Sequence, residues 1–402
     1  MSSETGSILA DTKLKILMLA PTPYFADRGC HVRIYEEARA LRRQGHDVRI
    51  VTYHLGRDMP DIPTIRIPRI PWYTRLEAGP SLHKLYLDVL MFVKAALLIP
   101  DFRPDLIHAH LHEGAFIGYF LKKLSGIPLL LDYQGSLTGE CIDHGFFQAT
   151  SWPAHMFRRI ESWINHCADT IITSSSAGKN ELIASWEVPA QRVTALIDGV
   201  DTDIFHPRPQ HEGRTLLGIP EDIPVVAYLG ILSRYQGTDL LLDCIEILQT
   251  RGLRVHFLIM GFPSEQYRTA AAARGLYDML QFTGKVDYSE AALMLSAADI
   301  AVTPKLSPTE ANGKIYNYMA CGLPVVSFET EVNREALGET GVYAKYGEAQ
   351  DLATKIAALV FDNESRAVYS ERVRDKALRE HSWHSRGMLL SEIYQSMLAQ
   401  RP

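Results

Sequence analysis

Between Lys305 and Phe328 the chain reads Lys-Leu-Ser-Pro-Thr-Glu-Ala-Asn-Gly-Lys-Ile-Tyr-Asn-Tyr-Met-Ala-Cys-Gly-Leu-Pro-Val-Val-Ser-Phe. A carboxylate (Glu310), an amide (Asn312), a glycine (Gly313) and an ammonium (Lys314) fall within one short stretch. That set suits a sugar phosphate: the carboxylate accepts from hydroxyls, and the ammonium meets phosphate oxygens. A short apolar run, Ile300 to Thr303, feeds the loop. The pattern predicts a helix starting near Lys314 and ending at Ala320-Cys321-Gly322, with Pro324 blocking continuation and a strand from Val325. A loop leaving the carboxyl end of a parallel strand and opening a helix is where open α/β sheets hold ligands, and free N–H groups at a helix start suit a phosphate. The same letters also fit an ordinary strand–loop–helix connection with a surface Glu and Lys.

Other stretches carry chemistry less specifically. The first apolar run is followed by Pro21-Thr-Pro-Tyr-Phe-Ala-Asp-Arg28-Gly29 rather than G-x-G-x-x-G, which argues against a nicotinamide or flavin site. Gly29 before a helix still allows a phosphate close to the backbone, and a plain turn would read the same way. His108-Ala-His110-Leu-His112-Glu113 invites a metal reading, since alternate strand residues share a face. Neither H-E-x-x-H nor a cysteine pair accompanies it, so no metal is expected. Gln134, after Asp132, can hydrogen-bond a hydroxyl but cannot titrate. Gly230-Ile-Leu-Ser-Arg234-Tyr-Gln236-Gly237 ends another strand, with one cation in a short loop. Arg66, Arg69, Trp72, Tyr73 and Arg75 form a basic aromatic segment that would suit a lipid phosphate or an anionic membrane, and equally a solvated loop.

The elements that must position these residues are β-strands alternating with helices. In the first half the strands are Lys15–Ala20, Val48–Tyr53, Leu106–Ala109, Leu129–Asp132, Thr170–Thr173 and Val193–Ile197. In the second they are Val225–Leu229, Val255–Met260, Leu280–Thr283, Ile300–Thr303 and Val325–Ser327. Continuous apolar strands between helices predict parallel sheets covered on both faces, and 402 residues predict two domains. The expected organisation is a disordered leader over 1–13, a first domain over 14–206, a second over 207–382 and a terminal helix within 383–402. Two such domains facing each other would hold a ligand crevice between them. The formal charge is −6, with 21 basic against 21 acidic residues up to residue 200 and 20 against 26 beyond it. That balance argues against a nucleic-acid partner. Five scattered cysteines without C-x-x-C fit a reducing cytoplasm. The apolar stretch from Leu85 to Pro100, interrupted by Asp88 and Lys94, is too short for a membrane span and reads as a packed helix.

The segment Glu310 to Val326 resembles the donor-site signature of retaining family 4 glycosyltransferases of the GT-B fold, E-x-F-G followed by E-A-M-A-x-G-x-P-V-V. The matching letters are Glu310, Gly313, Met319, Ala320, Gly322, Pro324, Val325 and Val326. The likeness extends over about residues 14 to 400 and includes Gly199-Val-Asp-Thr-Asp-Ile-Phe-His-Pro207, which in that family marks the passage between domains. It implies two Rossmann-like domains, with the segment from Trp383 crossing back to the first. It also implies metal-independent transfer of a sugar from a nucleoside-diphosphate donor, a substrate rather than a cofactor, to an acceptor hydroxyl. Glu310, Lys314 and Gln134 would stand at the reacting centre. Donor contacts are implied at Arg28, Gly29, Gly230, Arg234, Gln236, Val286, Asn312, Gly313, Ile315 and Asn317, and acceptor contacts at His110, His112 and Glu113.

Four departures stand out. Asn317 replaces the second family glutamate, one residue closer to Glu310 than usual. Gln134 replaces a histidine, and Ile231 and Gln236 replace the Arg and Lys of G-R-L-x-x-x-K-G. The leaving diphosphate must then be met by other cations, Lys314 first and Arg234 next. The implied setting is the cytoplasm, with peripheral membrane contact through Arg66 to Arg75. Three other functions fit the same likeness: a non-catalytic binding subunit, a sugar phosphorylase and a nucleotide-sugar epimerase.

Overall fold

The computed structural model describes residues 13–26, 29–74, 81, 83–143, 145–307 and 310–400. The expected leader lies outside the described residues except for Lys13, as do Arg28 and Arg75. The chain forms two compact units, one running up to Ile197 and resuming at Trp383, the other spanning Asp198–Ser382. The change of unit comes ahead of Gly199–Pro207 rather than after it. Val200 donates its N–H to the His381 carbonyl, and Phe205 is fully buried with its ring 5.2 Å from that of Tyr288, which anchors the segment in the second unit.

The first unit contains β1 (Lys15–Ala20), α1 (Gly29–Arg43), β2 (Asp47–Thr52), β3 (Thr64–Arg66), α2 (His83–Phe102), β4 (Leu106–His110), α3 (Leu111–Ser125) and β5 (Leu129–Tyr133). It continues through α4 (Leu137–Asp143), α5 (Trp152–Cys167), β6 (Thr170–Thr173), α6 (Ser176–Ala184) and β7 (Val193–Ala195). The seven strands pair in parallel in the order β3-β2-β1-β4-β5-β6-β7. β4 and β5 are buried at every position, as expected of apolar strands covered on both faces. Ser151 caps α5 by accepting from the Ala154 N–H, and Gly126 ends α3 in the left-handed conformation. α2 runs through Pro100 to Phe102, because the proline falls in its last turn.

The terminal helix, Trp383–Ala399, packs in this unit. Gly387 permits its close approach to α1, since a Cβ there would lie 2.7 Å from the Ala40 Cβ. Buried Tyr394 meets His108 Nδ1 at 2.7 Å through its hydroxyl, and Ser391 Oγ lies 2.9 Å from His46 Nε2.

In the second unit the order is α7 (Gln210–Leu217), β8 (Val225–Leu229), α8 (Thr238–Thr250), β9 (His256–Met260), α9 (Glu265–Ala273), β10 (Leu280–Phe282) and α10 (Ala291–Leu295). Then come β11 (Ile300–Thr303), α11 (Lys314–Ala320), β12 (Val325–Phe328), α12 (Glu331–Leu337), β13 (Val342–Ala344), α13 (Ala349–Val360) and α14 (Asn363–Glu380). Completing the numbering, α15 is Trp383–Ala399. Six parallel strands pair in the order β10-β9-β8-β11-β12-β13. The strand order reverses between β8 and β11. Such a switch point opens a crevice at the carboxyl ends of the strands, and there the loops carrying Gly230 and Glu310 emerge.

Candidate active site

Of the sequence-predicted site residues in the second unit, Lys314 has its polar atom held by two side chains. It opens α11, and its Nζ donates to Gln236 Oε1 at 2.7 Å and to the Tyr228 hydroxyl at 3.3 Å, lying 4.5 Å from the Tyr228 ring centre. Tyr228 donates its own proton to the Ile231 carbonyl at 2.8 Å, which turns an oxygen lone pair toward the ammonium. Gly230, the first residue after β8, has φ +137°, and a Cβ there would come within 3.0 Å of Lys314 Cε and Nζ. Glycine is required twice over, by its backbone conformation and by the lysine beside it.

Burial, then the nearby Lys305 cation, pulls the Lys314 ammonium down to about 7, with the Glu310 carboxylate opposing. Gln236 is buried and neutral. A second ammonium at that position would face Lys314 across the same short contact, so the absent family lysine and the present Gln236–Lys314 hydrogen bond are two sides of one arrangement.

Glu310 is about two-fifths exposed, and its Oε2 lies 3.1 Å from the Nζ of buried Lys305, which also donates to the Ala311 carbonyl at 2.7 Å. Lys305 thus holds the loop and aims the carboxylate. Asn312 is turned inward. Its Nδ2 donates to Thr303 Oγ1 and to Asn333 Oδ1, both at 3.0 Å, tying the loop to β11 and α12. Gly313 precedes α11 with space limited by Asp198, and Ile315 is fully buried, its N–H bonded to the Asn312 carbonyl. Asn317 is half-buried with no side-chain partner among the described residues. Arg234 is exposed and makes no ion pair among them, while Val286 is half-buried in the loop after β10.

The first unit holds a separate buried cluster at the ends of β4 and β5. Arg33, 3% exposed, spans Asp132 through Nε at 3.0 and 3.1 Å and Nη2 at 2.9 Å. Its Nη2 also lies 3.0 Å from Glu37, and Nη1 donates to the Leu196 carbonyl at 3.0 Å. His110 Nδ1 lies 2.9 Å from Asp132 Oδ2, and its ring stacks on His108 with centroids 4.3 Å apart. Burial alone would raise Asp132, but the Arg33 guanidinium and His110 hold it well below the usual carboxylate range. Burial lowers both histidines, which favours neutral rings at pH 7. Glu37, His108, His110 and Asp132 each bring a ligating atom within 4.8 Å of the others. The Arg33 guanidinium sets one positive charge against the Asp132 and Glu37 carboxylates of this group.

Gln134 donates to Asp132 Oδ2 at 2.7 Å, so the cluster orients its amide. His112 is buried with Nε2 3.5 Å from Glu161, and Glu113 bonds Lys84 at 2.6 Å. Gly29 is exposed at the start of α1, with open space where a side chain would be. Arg66 is bound to Asp58 and to the Tyr53 and Leu55 carbonyls, which leaves little of its charge for a ligand.

Sequence reasoning missed Arg33, Glu37 and Tyr228. The first two were detectable as charges at i and i+4 on the apolar face of α1. Tyr228, inside an apolar strand, gave no signal.

Residues 28–199 match the model of the glycosyl transferase 4-like domain, and residues 223–362 match that of glycosyl transferases group 1. Among curated proteins the chain is 26% identical to a D-inositol 3-phosphate glycosyltransferase of Thermobispora bispora, over 92% of this chain and 90% of that enzyme. It is 24% identical to the sulfoquinovosyl transferase SQD2 of Arabidopsis thaliana, over 92% of this chain and 71% of that one. Among solved structures it resembles the sucrose-phosphate synthase of Thermosynechococcus elongatus, with a TM-score of 0.82, 19% identity, and coverage of 97% of this chain and 100% of that one. It also resembles Anabaena Alr3699/HepE in complex with UDP and glucose, with a TM-score of 0.78, 19% identity, and coverage of 95% and 100%.

Proposed function

In a chain that belongs to the glycosyltransferases of the GT-B fold, with a 4-like domain ahead of a group 1 domain, we propose retaining, metal-independent sugar transfer from a nucleoside-diphosphate donor to a hydroxyl. The observation that carries this reading is the Lys314 ammonium, held by Gln236 and Tyr228 over the glycine that follows β8, with the Glu310 carboxylate on the same loop. The second unit takes the donor and the first takes the acceptor. The bond from C1 to the leaving phosphate oxygen breaks as the acceptor oxygen bonds C1 on the same face, and the acceptor proton passes to that phosphate. Lys314 meets the negative charge gathering there, which leaves no step that needs a protein nucleophile or a titrating group at Gln134. Glu310 binds hydroxyls of the transferred sugar, and Asn317 binds the ribose. The UDP-bound neighbour of this fold supports a nucleotide donor.

Incubation with UDP-, GDP- and ADP-sugars in EDTA tests the reading. One donor should raise the melting temperature and release its diphosphate, and an acceptor should yield product of unchanged anomeric configuration. Side-chain cations take the place of a metal ion, so added Mn²⁺ should leave the rate unchanged. Stabilisation by a donor without turnover would favour a non-catalytic binding subunit. Inversion, or dependence on Mn²⁺, would overturn the mechanism.

Glu310→Ala should lower turnover far more than Asn317→Ala. A hydrogen bond to a charged group contributes about 1.5–3 kcal/mol and a neutral one roughly 1, so the expected losses are about 10–10²-fold and about 5-fold. Glu310→Ala also removes the partner of buried Lys305, so Lys305→Met separates loop positioning from contact with the sugar. Equal kinetic losses from Glu310→Ala and Asn317→Ala, with melting unchanged, would show that the loop does not face the donor sugar.

A further inference from the structure

Two buried tyrosines tie the end of β8 to α11, each rooted in one element and bonded to the other. Tyr228, in β8, accepts from Lys314 Nζ at 3.3 Å and donates to the Ile231 carbonyl at 2.8 Å. Tyr318, one turn along α11 from Lys314, accepts the Leu229 N–H at 2.7 Å. β8 pairs with β11 at Val226 and Ala227, and two residues further on the Leu229 N–H meets this hydroxyl instead of a strand. Burial holds both phenols well above the ordinary tyrosine range, so they stay neutral.

The two contacts enclose one turn. Leu229 and Ile231 flank Gly230, whose own N–H is donated to the Met260 carbonyl at 2.9 Å. The backbone on both sides of the glycine is thereby fixed. Lys314 lies across it, with Cε and Nζ 3.0 Å from where a Gly230 Cβ would stand. The charged groups that act on the ammonium, Lys305 and Glu310, belong to the loop ahead of α11, and Asp198 lies beside Gly313. The phenols are uncharged, so Tyr228 orients the ammonium without neutralising it. In the family signature E-A-M-A the letter at position 318 is alanine, since Met319 and Ala320 match the next two. Tyr318 thus joins Ile231 and Gln236 as a departure on the elements that frame Lys314.

We propose that Tyr228 and Tyr318 are positioning residues for Lys314, the first orienting its ammonium and the second setting the distance from α11 to the turn at Gly230. The proposal rests on the reading of Lys314 as the cation that meets the donor diphosphate. A displacement of about 1 Å at such a site costs on the order of 10² in rate, which is what a double tether guards against.

Carbon NMR of the ligand-free chain, labelled at lysine and assigned by the signal that Lys314→Arg removes, tests the first contact without any donor. Tyr228→Phe keeps the ring beside the ammonium but takes away a hydrogen-bond acceptor of its charged form. Lys314 should then titrate about 0.5–1 pH unit below its value of about 7. Turnover, measured with the nucleotide sugar that melting identifies, should fall about 3–10-fold in Tyr228→Phe at pH 8 and about 10–10²-fold in Tyr318→Phe. In Lys314→Met neither substitution should lower it further, because nothing remains to be positioned. An unchanged Lys314 titration in Tyr228→Phe would overturn the proposal, as would losses that persist in full in the Lys314→Met background. Near-normal turnover of Lys314→Met, or no turnover with any donor, beside a shifted titration, would instead overturn the diphosphate reading and with it the positioning role, while the Tyr228 contact stands.

Discussion

Replacing Lys314 by alanine is expected to lower turnover by about 10²–10³-fold, the scale for removing one preorganised electrostatic stabiliser. Its ammonium is held by the Gln236 amide and the Tyr228 hydroxyl, both uncharged, so none of its charge is spent on a neighbouring carboxylate at hydrogen-bond distance. The expected site lacks the two cations that Ile231 and Gln236 replace, and exposed Arg234 is screened by water. On the proposed mechanism Lys314 would therefore carry most of the burden.

Its acidity gives a second readout. Burial and Lys305 hold the ammonium at about 7, and a bound diphosphate would raise it. The complex then binds a proton that the free protein has lost. Affinity for the nucleoside diphosphate should accordingly fall by up to tenfold per pH unit above pH 7, until the raised value is reached. Lys314→Arg keeps its charge across that range, so its affinity should stay flat from pH 7 to 9 in calorimetry. Gln236→Lys, which restores the family letter, should weaken binding, because two ammonium groups would share one short contact. Near-normal turnover in Lys314→Ala, or the same pH slope in that variant, would place the diphosphate elsewhere.

The strands were largely legible in the sequence because they are buried on both faces and therefore continuously apolar. Lys15–Ala20, Thr170–Thr173, Val225–Leu229 and Ile300–Thr303 fall where the pattern put them. β3 and β13, three-residue strands at sheet edges, have no counterpart among the expected strands, whereas β7 and β10, equally short and at the other edges, do. α11 was legible from its glycine and proline punctuation. Direction was not. Asn312 and Glu310 look equally polar as letters, yet Asn312 is bound to Thr303 and Asn333 while Glu310 stands part-exposed against Lys305. His110 likewise reads as a surface ligand until its fully buried ring is seen beside Asp132. Asn312 and His110 depend on partners 21 and 22 residues away, Asn333 and Asp132, which no local spacing encodes.

Arg33→Ala should cost about 3–5 kcal/mol of stability, because removing one member of a buried ionic cluster leaves the others charged and uncompensated. Asp132 is fully buried and accepts from Arg33, His110 and Gln134, and Glu37 is 1% exposed beside the same guanidinium. Without Arg33 the neighbouring rings cannot readily supply the charge, since burial lowers both His108 and His110.

The pH dependence distinguishes loss of charge from loss of packing. In the native protein Asp132 is held well below its unfolded value, so its contribution is present above about pH 4 and fades as pH falls through that depressed value. In the variant, burial without Arg33 should raise the same carboxyl above its unfolded value. The folded variant then binds the extra proton and gains stability as pH falls from 7 toward 4. The deficit measured by urea denaturation should narrow over that interval. Arg33→Lys should fall between the two, since an ammonium lacks the fork that spans Asp132 and Glu37. A deficit below about 1 kcal/mol, or one that stays constant from pH 7 to 5, would mean that the guanidinium is merely packed there. Because Asp132 also fixes the Gln134 amide, a milder variant that folds at pH 7 should bind acceptor more weakly while leaving nucleoside-diphosphate affinity unchanged.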